Sequence, residues 1–186
     1  MKKCKICEEP FTPIHNTTQR VCGPPCAIID GNNTRKKKAE KAHTERKKAL
    51  KTTADWMKEA QTAFNRYIRA RDAGKPCISS GRPISNQNLL TGSRVDAGHY
   101  RSRGAAPHLR FNVFNCHAQS VKDNRHLSGN IVEYRMGLID RIGLDRVERL
   151  EQDHSSRKYT AAYLKRVKII FSKRARFYEK RRNIND

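Results

Sequence analysis

Acidic residues are scarce in this chain. Eighteen Asp and Glu face forty Lys and Arg, a formal charge of +22 on 186 residues. An imbalance of that size points to a polyanionic partner, with nucleic acid first, because each phosphate neutralised releases condensed counterions. Apolar residues are few as well: 36% of the chain is hydrophobic, 7% is aromatic and there is one Trp. That composition allows one domain of moderate core, or a small domain carrying a zinc module, with much of the chain in solvated helix or arm. No apolar run approaches the ~20 residues needed to cross a bilayer, and no signal-like segment opens the sequence. Basic helices can also bind anionic lipid, but the expectation is a cytoplasmic protein with no membrane partner. There is no internal repeat.

Four of the six cysteines cluster as Cys4-x2-Cys7 and Cys22-x3-Cys26. Two thiolate pairs at such spacing close a tetrahedron around zinc, whereas a disulfide framework would spread its cysteines along the chain. A zinc-binding module over residues 1–30 is predicted, with Gly23, Pro24 and Pro25 making a tight turn within the second pair. Four sulfurs leave no open coordination position, so the zinc is expected to be structural.

Residues 31–52 are predicted to form a basic helical connector. Arg35, Lys36, Lys37, Lys38, Arg46, Lys47 and Lys48 lie among good helix formers with almost no apolar stripe, and they are candidates for phosphate contact. Residues 53–73 change character: Trp56, Ala60, Ala63, Phe64, Tyr67 and Ile68 recur at helical steps. Core packing suits Trp56 better than base stacking. Residues 76–93 read as a turn-rich loop. Helical periodicity returns from Ile131 to Ile142, again through Leu144, Val147 and Leu150, and last from Thr160. In the final helix Tyr163, Leu164, Val167, Ile170 and Phe171 form one side, opposite a second basic face containing Lys165, Arg166, Lys173 and Arg174.

Between these helices lies a run of chemistry-bearing residues: Asp96-Ala97-Gly98-His99-Tyr100, then Leu109-Arg110-Phe111-Asn112-Val113-Phe114-Asn115, then Asn124-Arg125-His126. The order is that of an HNH nuclease, in which a strand histidine deprotonates water and a following helix carries a metal-facing group. His99 is the candidate base, and Asn124 or His126 the metal-facing group. Asn115 is the amide that ties the two halves through backbone bonds. Asp96 is a further candidate ligand for a catalytic divalent ion such as Mg²⁺. Arg101, Arg103 and Arg110 are close enough in sequence to clamp a phosphate, with ordinary surface charge as the alternative for each. Taken singly, an Asn before a helix is usually a cap and a lone His a surface residue; the joint pattern carries the reading.

The cysteine pairs, the basic helix, the Trp56 stripe, Pro76-Cys77-Ile78-Ser79, the Asp-Ala-Gly-His-Tyr and Leu-Arg-Phe-Asn runs and Ser128-Gly129-Asn130 together resemble the lambdoid-phage NinG (Rap) recombination family. The resemblance covers nearly the whole chain. It implies an α+β, mainly helical protein with an HNH-like ββα-metal core over residues 53–186. The implied activity is cleavage of branched double-stranded DNA, such as Holliday junctions and displaced-strand intermediates, in phage homologous recombination. Phage or host recombination proteins are expected partners in the cytoplasm of the host cell, and symmetric resolution of a four-way junction, which needs two active sites, suggests a homodimer by geometry alone. The alternative is a weakly active or inactive zinc-module DNA-binding accessory protein. The family also implies a second zinc knuckle, at positions where this chain has Cys77, Ser80, Ser120 and Asp123. One thiolate of four should not hold zinc tightly. Cys116 and His117 lie nearby as substitute ligands, but not at knuckle spacing.

Overall fold

The computed structural model describes residues 1–84 and 95–185, so positions 85–93 of the expected loop lie outside the described residues. The protein is mixed α+β and mainly helical, and it divides into two compact units, Met1–Lys51 and Thr52–Asp186.

In the first unit, β1 (Lys2–Lys3) and β2 (Pro10–Phe11) form a small antiparallel ladder. Helix α1 runs over Pro24–Ala49. This corrects the predicted tight turn at Gly23-Pro24-Pro25: both prolines open the helix, where a missing N–H costs nothing and the fixed φ is already helical. The helix therefore begins inside the cysteine module and carries Cys26 in its first turn. None of its residues is buried, as the absent apolar stripe requires, and Arg46, Lys47 and Lys48 sit favourably on its negative C-terminal end.

In the second unit, α2 (Thr53–Arg71) starts with a capping box: Asp55 N–H donates to Thr52 Oγ1 at 3.2 Å, and Thr52 N–H donates to Asp55 Oδ2 at 3.0 Å. Its stripe of Trp56, Ala60, Phe64, Tyr67 and Ile68 packs with Leu164, Val167, Phe171 and Ala175 of α5 (Ala161–Asn185). Each large side chain so buried contributes roughly 1.5–3 kcal/mol. Trp56 belongs to this core, with the Lys165 and Lys168 ammonium groups 4.9 and 5.6 Å from its ring centroid. Ile170, placed on the apolar side by sequence, is 44% exposed and Ile169 is 54% exposed, because the buried seam follows Leu164, Val167, Phe171 and Ala175.

The hairpin of β3 (Val95–His99) and β4 (Cys116–Ser120) is antiparallel, pairing Asp96 with Gln119 and His99 with Cys116. A π-helical turn over Lys122–His126 follows, then α3 (Ile131–Ile142) and α4 (Leu144–Gln152). A second core joins Tyr134 and Leu138 of α3 and Val147 and Leu150 of α4 to Ile78, Tyr100, Ala106 and Leu109. Helix α3 approaches the Ile78 backbone so closely that a Cβ on Gly137 would lie 1.9 Å from the Ile78 carbonyl oxygen. On the hairpin, Gln119 is fully buried and donates through Nε2 to Ser79 Oγ at 2.7 Å and to the Gly129 carbonyl at 2.6 Å. Its Oε1 lies 2.0 Å from where a Gly98 Cβ would be.

A buried charge cluster locks α2 to the hairpin. Arg71 donates to Asp72 through two nitrogens and to the Val113 and Cys116 carbonyls at 2.8 and 2.9 Å, while Ala118 N–H donates to Asp72 Oδ2 at 3.0 Å. Burial works against the Asp72 carboxylate, but the neighbouring His117 and the hydrogen-bonded Arg71 guanidinium outweigh it and hold the carboxyl well below its ordinary range.

Candidate functional site

The four N-terminal thiols converge: their sulfurs all lie within 4.8 Å of one another, with Cys7 to Cys22 and Cys22 to Cys26 each at 3.6 Å. Tetrahedral zinc with Zn–S bonds of about 2.3 Å places its sulfurs about 3.8 Å apart, so the donor set fits. Backbone N–H groups of Cys7, Ile6 and Cys22 bring the Cys4 thiol down to about 6, favouring its thiolate, while contacts among the thiols push Cys22 and Cys26 up, so that one sulfur carries the charge until a metal draws off the other protons. Among the described residues this is the one group of three or more His, Cys, Asp or Glu arranged to hold a metal.

In the second unit, an open cavity of about 470 Å³ is lined by Asn65 and Arg69 of α2, Asp96, Ala97 and His99 of β3, Ser102 and Arg103, and Asn124, Arg125, Ser128, Gly129 and Ile131 after β4. His99 points its Nε2 at the Arg110 carbonyl, 2.9 Å away, so that nitrogen carries the proton and Nδ1 holds the lone pair. Cys116 Sγ is 3.6 Å from Nδ1. Burial pushes His99 down to about 4, helped by the charges of Arg103 and Arg110, so the ring is neutral at pH 7.

Asp96 and Asn124 meet across the cavity, with Asn124 Nδ2 donating to Asp96 Oδ2 at 2.8 Å. Arg125 closes on the same carboxylate through Nε at 2.7 Å and Nη2 at 2.9 Å. A carboxylate and an amide oxygen are hard donors of the kind that bind Mg²⁺ with water and substrate phosphate completing the shell. The rim beyond them is strained: Ser128, Gly129 and Asn130 have φ of 51°, 92° and 45° in succession. Bonds from Gly129 N–H to the Asp123 carbonyl at 2.9 Å and from Asn130 Nδ2 to Asp123 Oδ1 at 3.1 Å hold the turn.

A scan of family models matches residues 1–181 to NinG, described as Bacteriophage Lambda NinG protein. The chain belongs to the NinG family. The protein ninG of Enterobacteria phage H19B is 40% identical over 185 residues, covering 90% of this chain and 88% of that protein. Those of Salmonella phage P22 and Escherichia phage lambda are each 38% identical over 193 residues, covering 93% and 91%. No solved structure matches the chain at a significant level.

Within this NinG-family chain the remaining predicted residues separate by position. Asn115 is fully buried behind the cavity: it accepts from Arg101 N–H at 2.9 Å and donates to the Arg101 and Leu109 carbonyls at 3.0 and 3.4 Å, pinning both ends of the loop that follows β3. His126 is exposed and does not line the cavity. Arg101 donates through one nitrogen to the carbonyls of Leu150, Glu151 and Asp153, which makes it a strap on the end of α4. Arg103 lines the cavity, while Arg110 leans on Gln61 Oε1 at 3.3 Å. Lys165, Arg166, Lys173 and Arg174 are exposed on α5, with Arg174 over the Tyr67 and Phe171 rings at 5.9 and 5.6 Å.

The four positions at which the resemblance implies a second knuckle also come together. Ser80 Oγ and Ser120 Oγ donate to Asp123 Oδ2 at 2.9 and 2.5 Å, and Ser120 N–H points at Cys77 Sγ at 3.2 Å. Cys116 and His117 do not supply substitute ligands there: the first faces His99 and the second accepts from Arg71 at 3.1 Å. Sequence reasoning missed Asn65, Arg69 and Arg125 in the cavity. Arg125 adjoins Asn124, but only the folded hairpin shows that it reaches Asp96.

Proposed function

We propose that this chain is a metal-dependent, HNH-like endonuclease that cuts branched DNA in phage homologous recombination, with a structural zinc on Cys4, Cys7, Cys22 and Cys26. The observation that carries the reading is the gathering of a neutral His99, Asp96 and Asn124 in one cavity flanked by Arg69, Arg103 and Arg125. The arginines attract a phosphate, whose negative charge raises the His99 basicity at the moment of use. His99 Nδ1 then takes a proton from the water that attacks phosphorus. Asp96 and Asn124 would hold a divalent ion, which would supply stabilisation for the charge that builds on the leaving oxygen. Asn115 is a positioning residue, fixing the loop whose Arg110 carbonyl orients His99. Basic residues of α1 and α5 add phosphate contacts that set register without reading sequence, so selectivity for branches comes from shape and deformability. Symmetric cutting of a four-way junction calls for two active sites, and hence a homodimer.

Cleavage of a four-way junction and of linear duplex, with Mg²⁺ and a His99→Ala control, tests the proposal. Loss of the base lowers the rate by about 10²–10⁴ and leaves binding unchanged. Metal-independent cleavage, or cleavage that survives His99→Ala, overturns it. A second reading, a DNA-binding accessory without cleavage, draws on the closure of Asp96 by Arg125 and Asn124. It predicts junction binding with no metal-dependent product.

A further inference from the structure

We infer that Arg125 is a latch that keeps the catalytic ion off Asp96 until a nucleic-acid phosphate draws the guanidinium away. The inference rests on the nuclease reading and concerns the order in which that site fills. Both oxygens of Asp96 are taken: Oδ1 accepts from Arg125 Nη2 at 2.9 Å, and Oδ2 accepts from Arg125 Nε at 2.7 Å and Asn124 Nδ2 at 2.8 Å. A divalent ion ligated there would stand against the guanidinium, and two like charges at that distance repel strongly in a partly enclosed site. Arg69 lines the same cavity and adds to the opposition.

The latch is nevertheless easily released. The Arg125 side chain is 64% exposed, while that of Asp96 is 17% exposed, so the arginine is free to swing and the carboxylate stays in place. Exposed ion pairs are weakly held, and the guanidinium fork fits phosphate as well as it fits carboxylate. An entering DNA backbone therefore offers Arg125 an equivalent partner within the cavity. Its departure bares Asp96 beside the very phosphate that is to be cut, and the ion and substrate bind as mutual helpers.

The test is Mn²⁺ binding to the zinc-loaded full chain, followed by electron paramagnetic resonance. Without DNA, Arg125→Gln should bind one Mn²⁺ at least tenfold more tightly than the wild type, and Arg125→Lys, which keeps the charge but loses the fork, should fall between. Adding Asp96→Asn to Arg125→Gln should abolish the gain. A short duplex, measured against duplex alone, should tighten Mn²⁺ binding to the wild type by a larger factor than to Arg125→Gln. Equal affinity of wild type and Arg125→Gln without DNA overturns the latch, as does any gain that survives Asp96→Asn. A gain that survives Asp96→Asn would also move the ion off Asp96, but neither result decides whether the chain cleaves DNA, which stands or falls on the His99→Ala cleavage comparison.

Discussion

The Cys77 thiol donates to Asp123 Oδ2 at 3.3 Å, which brings together the two ends of a four-residue cluster. With Ser80 and Ser120 bonded to the same oxygen, four side chains are poised around one point. Replacing Ser80, Ser120 and Asp123 with Cys should therefore raise the zinc content from one to two ions per chain, by metal analysis. The melting temperature should rise with it, since an ion bound only by the folded state adds stability. An unchanged zinc content would show that the serine and aspartate geometry does not carry over to thiolates.

Two helical glycines should respond to Ala in opposite directions. At Gly31 in α1 nothing lies within 4 Å of an added Cβ, so Gly31→Ala should stabilise α1 by up to about 1 kcal/mol, as helix propensity alone dictates. At Gly137 the same methyl would meet the Ile78 carbonyl oxygen at 1.9 Å, and backbone cannot rotate aside. Overpacking there should cost about 1–3 kcal/mol or more, reversing the propensity gain. Urea denaturation of each variant reads the sign directly.

Stability should fall on acidification from pH 7 towards 4. His99 is held down to about 4, and burial with the Arg71 charge also lowers His117. An unfolded chain with histidines near 6.5 binds more protons than the folded one between about pH 6.5 and 4, so stability rises with pH through that window. The loss from His99 by pH 5 is on the order of 1–2 kcal/mol. His99→Gln, which retains a donor for the Arg110 carbonyl, should shrink the difference between denaturation at pH 7 and pH 5. Below about pH 3.8 the Asp72 contribution is lost as well, because its folded carboxyl lies beneath its unfolded range.

The α1 charges should govern the salt dependence of DNA binding. Each phosphate contact contributes about 0.9 to the slope of log affinity against log salt. Neutralising Lys36, Lys37, Lys38, Lys47 and Lys48 to Gln should flatten that slope by several units without altering preference among sequences. A slope equal to the wild type would mean that the solvent-exposed helix is a spacer.

The helices of the second unit were legible because their cores are built from regularly spaced side chains: Trp56 through Ile68 in α2, and Tyr134 and Leu138 in α3. The start of α1 was not, since Pro24 and Pro25 suit a turn as well as a first helical turn until the fold decides. His99 and Asn124 stood out by residue type and order. The Asp96 pairing with Arg125 did not, because it spans 29 positions and depends on how the turn after β4 folds back on β3. Arg101 shows the converse: in a chain so rich in cations, charge alone does not separate a phosphate ligand from a strap on helix carbonyls.

Gly98 and Gln119 carry one side chain between them. The amide oxygen of Gln119 stands where a substituent at 98 would go, and its nitrogen reaches the Ser79 loop and the strained turn at the cavity rim. Tolerance at either position is consequently conditional on the other. A scan that changes one residue at a time would score both as immutable, while an exchange in which the smaller residue moves across the ladder could restore the volume but not the bridge. The missing methyl of Gly98 is thus part of the cavity's support, held open so that the opposite strand can brace the rim.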